Sequence, residues 1–173
     1  MARLMALEIL QLDEYQTFRD LCKGAKAPPG YKWIHCHFVF NVKHDGQHKS
    51  QLVAGGHMTN ISLKSVYSGV VSLRSLHLVI FLAKLNGITL FQADVGNAYL
   101  EAKTKEKVYF TANAGFGNQE GHTLIILKAL YGLRTSGLHW HEHFADTLCS
   151  MGCVPSLPTQ MSGCKLKMVY TSI

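Results

Sequence analysis

No aspartate or glutamate follows Asp146, and nowhere in the chain do two aspartates stand side by side. A metal site built on adjacent paired carboxylates is therefore not written in this sequence. The five cysteines (Cys22, Cys36, Cys149, Cys153, Cys164) are odd in number and include no Cys-x-x-Cys pair. That argues against a disulfide framework or a zinc ribbon and predicts a reducing compartment. No segment approaches the roughly eighteen uninterrupted apolar residues of a membrane span. Behind Arg3 the apolar stretch from Leu4 to Leu7 is cut by Glu8, short of a signal-peptide core. The expectation is an intracellular chain, cytoplasmic or nuclear, neither secreted nor membrane-bound. A phosphate-binding Gly-x-x-x-x-Gly-Lys-Ser/Thr loop is missing, no serine sits in a nucleophile elbow, and Gly115-Phe116-Gly117 lacks the setting of a dinucleotide-binding turn.

What is present suits a globular domain. The 173 residues are 47% apolar and 16% charged, enough for one real core. Seventeen Lys and Arg against eleven Asp and Glu give a formal charge of +6, with ten histidines besides. That balance favours an anionic partner such as nucleic acid.

Met5, Ile9, Leu12, Tyr15 and Phe18 recur at helical steps and predict an amphipathic helix over residues 4–21. Pro28-Pro29-Gly30 then reads as a connection. From Trp33 to Lys43 the pattern alternates, with Phe38, Phe40 and Val42 on one face and His37, Asn41 and Lys43 on the other. The turn dipeptide Asp45-Gly46 and the run Leu52-Val53-Ala54 complete a β-hairpin. Its polar face offers Lys43, His48 and Lys49, suited to phosphates or simply solvated.

A stripe of Leu73, Leu76, Ile80 and Ala83 predicts a helix opening near Ser72 and closing at Asn86-Gly87. The run from Ile88 to Ala93 is apolar on both faces, as in a buried central strand, and delivers Asp94 to that strand's end. An acid there can hold a metal, or can cap a turn. Strands are expected at Val108-Tyr109-Phe110 and at Leu124 to Leu127, and a helix capped by Ser136 should place Trp140, Phe144, Leu148 and Met151 on one face until Gly152. Residues 153–173 read as a divergent tail in which Pro155 and Pro158 forbid a continuous helix.

Three segments together carry a resemblance. The hairpin from Phe38 to His57, the stretch Gln92-Ala93-Asp94-Val95-Gly96-Asn97-Ala98-Tyr99-Leu100, and Lys128-Ala129-Leu130-Tyr131-Gly132-Leu133-Arg134 with Trp140 resemble, in order and spacing, the reverse transcriptase domain of copia-type retrotransposon polyproteins. The stretch from Ser65 to Arg74 resembles that family's entry into the helix before the first palm motif. The resemblance implies an α+β fold, a partial fingers and palm of a right-hand polymerase over residues 1–152, with a small antiparallel sheet backed by helices 72–86 and 136–151.

It also implies RNA- and DNA-templated DNA synthesis with two Mg²⁺ ions, one lowering the pKa of the primer hydroxyl and the other neutralising the triphosphate. Asp94 would be the shared carboxylate ligand and the Val95 carbonyl a ligand of the nucleotide-side ion. The Asn97 and Ala98 amides would meet the triphosphate. Tyr99 would be the steric gate against a 2′-hydroxyl, Tyr131 and Gly132 would shape the pocket against the templating base pair, and Lys49 would approach the triphosphate. The implied partners are RNA or DNA primer-template, deoxynucleotides and other segments of a Pol polyprotein, in a virus-like particle.

The sequence also departs from that pattern. The family's third palm motif, with its paired aspartates, is missing, Gln51 stands where the family usually has Arg, and Gly137 where many members have Pro. The expectation is a truncated copy, inactive alone; the alternative is a non-catalytic nucleic-acid-binding remnant that grips duplex through its basic face. His139 and His143 lie one helical turn apart, as do Cys149 and Cys153. His139 and Cys153 would be roughly 20 Å apart along a helix, too far to share a zinc. Solvated histidines on the helix's outer face are the expected reading.

Overall fold

The computed structural model describes residues 1–44, 46–59, 72–156 and 165–167. Its strands are β1 (Phe18–Lys23), β2 (Lys32–Trp33), β3 (Cys36–Val42), β4 (His48–Ala54), β5 (Val108–Thr111), β6 (His122–Ile126), β7 (Val154–Ser156) and β8 (Lys165–Lys167). Its helices are α1 (Ala2–Glu14), α2 (Leu73–Leu85), α3 (Ala98–Glu101) and α4 (Ser136–Ser150). The result is a mixed α+β chain of small sheets and helices. A four-stranded sheet runs in the order β1-β6-β5-β2; it is antiparallel except for the parallel β2–β5 pair. A separate hairpin pairs β3 with β4 from Cys36 opposite Ala54 to Val42 opposite His48. Asp45 of its turn, residues 65–71, Pro158, Cys164 and residues 168–173 lie outside the described residues.

The first helix is shorter than its periodicity predicts. Gln16 takes a left-handed φ of 52°, the Thr17 amide closes onto the Leu12 carbonyl, and Phe18 opens β1 instead of continuing the helix. Pairing with β6, where Phe18 faces Ile126, puts the Phe18 ring edge-on to Phe110 at 5.3 Å. Tertiary pairing prevails there over local periodicity.

Four phenylalanines join the sheet to the hairpin. Phe116, in the short 3₁₀ segment Ala114–Gln119, lies 5.5 Å from Phe110, 6.2 Å from Phe18 and 5.8 Å from Phe38 of β3, centroid to centroid. Such edge and tilted contacts suit the quadrupoles of the rings. Gly115 makes this approach possible, because a Cβ there would stand 2.7 Å from the Phe38 ring. Leu12, Ile34, Leu52, Leu124, Ile126 and Leu130 fill the rest of this core. Along β4 burial alternates, with Ser50, Leu52 and Ala54 inward, whereas Phe40 and Val42 of β3, expected on an apolar inner face, are exposed.

Helix α2 begins and ends as its sequence dictates. The Ser72 hydroxyl accepts from the Ser75 amide at 3.1 Å, and Gly87 (φ 64°) lets the Ile88 amide reach back to the Ala83 carbonyl, as in a Schellman stop. It does not back the sheet, however. Ala83 is its one buried residue among those described, while Leu73, Leu76, Ile80 and Phe81 are exposed. The predicted buried strand over residues 88–93 is likewise absent. That segment pairs with no described strand and leaves Phe91 92% exposed. Continuous apolar character marks a strand only where a neighbour supplies ladder hydrogen bonds and cover.

Helix α4 forms over nearly its expected span but turns a different face inward. Ser136, His139 and Ala145 are buried, Phe144 and Met151 exposed. Ser136 is not the cap: it is the first helical residue, and its hydroxyl donates to the Leu130 carbonyl at 2.6 Å. Thr135 holds the cap position without a side-chain cap bond of its own; its amide and hydroxyl both donate to the Glu106 carboxylate. A carboxylate brought from a distant loop thus meets the positive end of the helix. In the carboxyl-terminal segment, β7 and β8 pair as an antiparallel ribbon with Pro155 opposite Leu166. Among the described residues no helix is long and apolar enough to cross a membrane.

Candidate functional site

The Asp94 loop is anchored from its downstream end. In the single turn of α3, Leu100 is buried, and Ala102 just beyond it is buried and accepts from the Ala129 amide at 2.9 Å. Asn97 heads this turn in a left-handed conformation (φ 51°, ψ 34°) without a side-chain cap bond, and its carbonyl accepts from the Leu100 amide. Asn adopts such a backbone more readily than most residues. Upstream, Asp94, Val95 and Gly96 run exposed and without regular structure.

This exposed loop forms one wall of an open cleft of about 560 Å³. The opposite wall is the hairpin, through Lys43, His48 and Lys49, and Tyr131 forms part of the lining. Lys49, Asp94, Val95, Asn97, Ala98 and Tyr131, far apart in the chain, therefore share one cavity. Tyr99 joins them through its ring, 4.8 Å from that of Tyr131 and tilted by 58°. Burial first, then the neighbouring Tyr99 and Glu8, pushes the Tyr131 phenol up from its ordinary value.

Gly132 sits against the root of the hairpin. Its φ is 90°, and a Cβ on it would collide with the Ala54 carbonyl oxygen, just as one on Gly56 would collide with the Gly132 carbonyl oxygen. The Ala54 amide donates to the Tyr131 carbonyl at 2.7 Å. Backbone thus lies on backbone, which glycine alone permits.

Sequence reasoning missed two contributors on α1. Gln11 lines the cleft, and the Glu8 carboxylate accepts from the Leu52 amide at 3.0 Å, tying the helix to β4. Burial raises the Glu8 carboxyl, opposed by that amide bond and by Lys49. Their spacing of three residues on a helix that buries Leu12 is the signal that marks them.

The cleft brings one carboxylate against two lysines and a histidine, which suits a polyanion. It does not amount to a two-cation centre. Among the described residues no group of three or more His, Cys, Asp or Glu could hold a metal ion, and a hard dication takes about six oxygens, with carboxylates prominent among them. Asp94 and the Val95 carbonyl supply two donors, so the residues present do not fit a pair of Mg²⁺ ions. The histidines of α4 are not outer-face pairs either. His139 is buried, its Nδ1 3.4 Å from the Thr135 hydroxyl, while His143 lies exposed beside Trp140.

Known proteins resemble this chain along most of its length. Residues 15–164 match the family model described as reverse transcriptase (RNA-dependent DNA polymerase). The chain is 33% identical over 142 residues to the Ty1-DR4, Ty1-DR6 and Ty1-LR2 transposon Gag-Pol polyproteins of Saccharomyces cerevisiae. That alignment covers 81% of this chain and 8% of each relative. No solved structure matches significantly.

Proposed function

The chain belongs to the reverse transcriptase (RNA-dependent DNA polymerase) family, and from that premise we propose that its cleft is the nucleotide-binding half of a polymerase centre. The observation that carries the reading is the wall of Lys43, His48 and Lys49 facing the Asp94–Ala98 loop. On this reading residues 1–152 are fingers and part of a palm, and 153–173 a divergent tail. Lys49 meets the triphosphate, the Asn97 and Ala98 amides cradle it, Tyr99 closes the space beneath the sugar, and Tyr131 with Gly132 bounds the base pair. Primer-template is the macromolecular partner, within a Gag-Pol polyprotein and its particle.

The family's chemistry runs on divalent metal, and Asp94 with the Val95 carbonyl is the part of such a site that this chain offers. One carboxylate does not hold two dications, so the described residues by themselves bind nucleotide without transferring it. Calorimetric titration with a deoxynucleoside triphosphate tests the binding: affinity should fall at least about tenfold in Lys49→Ala, since a charge-assisted phosphate contact is removed. Primer extension with Mg²⁺ tests the rest, and incorporation abolished by Asp94→Ala would overturn the inactive reading.

The basic balance of the chain (+6) supports a second reading, a non-catalytic nucleic-acid-binding remnant. Salt-dependent duplex binding without measurable nucleotide binding would favour it.

A further inference from the structure

Helix α1 (Ala2–Glu14) precedes the residues 15–164 that match the family model, yet it forms part of the cleft. The Glu8 carboxylate, accepting from the Leu52 amide at 3.0 Å, fixes the helix against β4, and Leu12, 1% exposed, seals it into the core. Successive helical residues are turned by about 100°. Glu8 therefore falls between Gln11 and Leu12 around the helix, and Gln11 stands at the rim of the buried face. There it lines the cavity with Lys43, His48 and Lys49. Just beyond, the Thr17 amide closes onto the Leu12 carbonyl and Gln16 turns left-handed at a φ of 52°, so the turn that carries Gln11 is held from both sides.

A triphosphate brings more acceptor oxygens than two lysines and a pair of backbone amides can serve. Oxygens taken from water without a donor are costly. Besides the Asn97 loop, the cavity holds two carboxamides, Gln11 and Gln47. Gln47 is engaged within the protein, and its main-chain carbonyl closes the hairpin turn by accepting from the Lys43 amide at 2.8 Å. The Gln11 carboxamide, by contrast, takes part in no hydrogen bond among the described residues; its main-chain carbonyl accepts from the Tyr15 amide at 3.2 Å. A carboxamide NH₂ supplies two donors and no charge. It can serve phosphate oxygens without the desolvation of a further ammonium group.

We infer that Gln11 is a phosphate-binding residue of the cleft, a donor to the polyphosphate chain supplied from outside the family-matched residues. The inference deepens the polymerase reading and rests on it for the nucleoside that the chain carries. Glu8 is the positioning residue that holds the Gln11 turn beside β4.

Calorimetry on the full chain with two probes, thymidine triphosphate in its deoxy form and inorganic tripolyphosphate, tests the assignment. Gln11→Ala should weaken both about tenfold, the size of a hydrogen bond to a charged group, and α1 stays intact because Ala is the best helix former. Gln11→Glu, of the same shape but without donors, should lose at least as much, whereas Gln11→Lys, which keeps donors, should retain binding. A merely structural role would leave the Glu variant like the native chain. Unchanged tripolyphosphate affinity in Gln11→Ala, or a loss confined to the nucleotide, would overturn the inference. If Lys49→Ala alone weakens both probes, the polymerase reading stands and the Gln11 contact falls. If Gln11→Ala weakens tripolyphosphate in a chain that shows no preference for the nucleotide, the contact stands and the nucleotide reading falls.

Discussion

The Tyr99 and Tyr131 rings meet at 4.8 Å and 58°, so the first helical turn after Asp94 and the turn before Gly132 brace one another. If Tyr99 closes the space beneath the sugar, Tyr99→Ala should reduce the preference for deoxy- over ribonucleoside triphosphate by about tenfold, the size of a lost steric discrimination in a pocket. Displacement of a fluorescent nucleotide by each type measures the ratio. An unchanged ratio removes Tyr99 from the gate.

Glu8 offers a contrast between charge and hydrogen bonding. Its carboxylate serves the amide of fully buried Leu52, so Glu8→Ala should cost about 1–3 kcal/mol by leaving that donor unsatisfied. Glu8→Gln keeps an acceptor without the burial of a charge and should lose less. Urea midpoints of the two variants decide, and equal losses would mean that the bond contributes nothing distinct.

His139 should make stability depend on pH. Burial first, then Lys105, lowers its folded pKa, with Glu142 and Glu106 opposing. Below the unfolded value of about 6.5 the unfolded chain therefore binds more protons than the folded one. The contribution is intact above that value and is lost as pH falls through it toward the lower folded value. Melting temperatures between pH 7.5 and 5.5 should drop more steeply in the native chain than in His139→Gln; parallel curves would rule His139 out.

Gly132→Ala places a methyl group against the Ala54 carbonyl at a φ of 90°. A loss of about 2–4 kcal/mol is expected from the combined strain and displacement. Gly96→Ala, where a Cβ meets nothing within 4 Å and φ is not positive, should be nearly neutral by comparison.

The hairpin, β5, β6 and the ends of α2 were legible because each is written locally, in alternation, turn residues or caps such as Ser72 and Gly87. β1 was not, since Phe18 continues a helical period and only its partner Ile126, more than a hundred residues away, makes it a strand. The stretch 88–93 misled in the opposite direction, carrying the composition of a central strand with no described neighbour to pair with. The faces of α4 depend on Glu106 and Leu130, which no spacing within residues 136–150 encodes. Motif order found most of the residues that line the cleft, but Gln11 emerges only when distant segments are placed together.

The glycine contact at the foot of the hairpin fixes where this protein is able to flex. With the Gly132 and Gly56 main chains abutting and Ala54 bonded to Tyr131, the hairpin has no hinge at its root, and tilting it there would carry Tyr131 along.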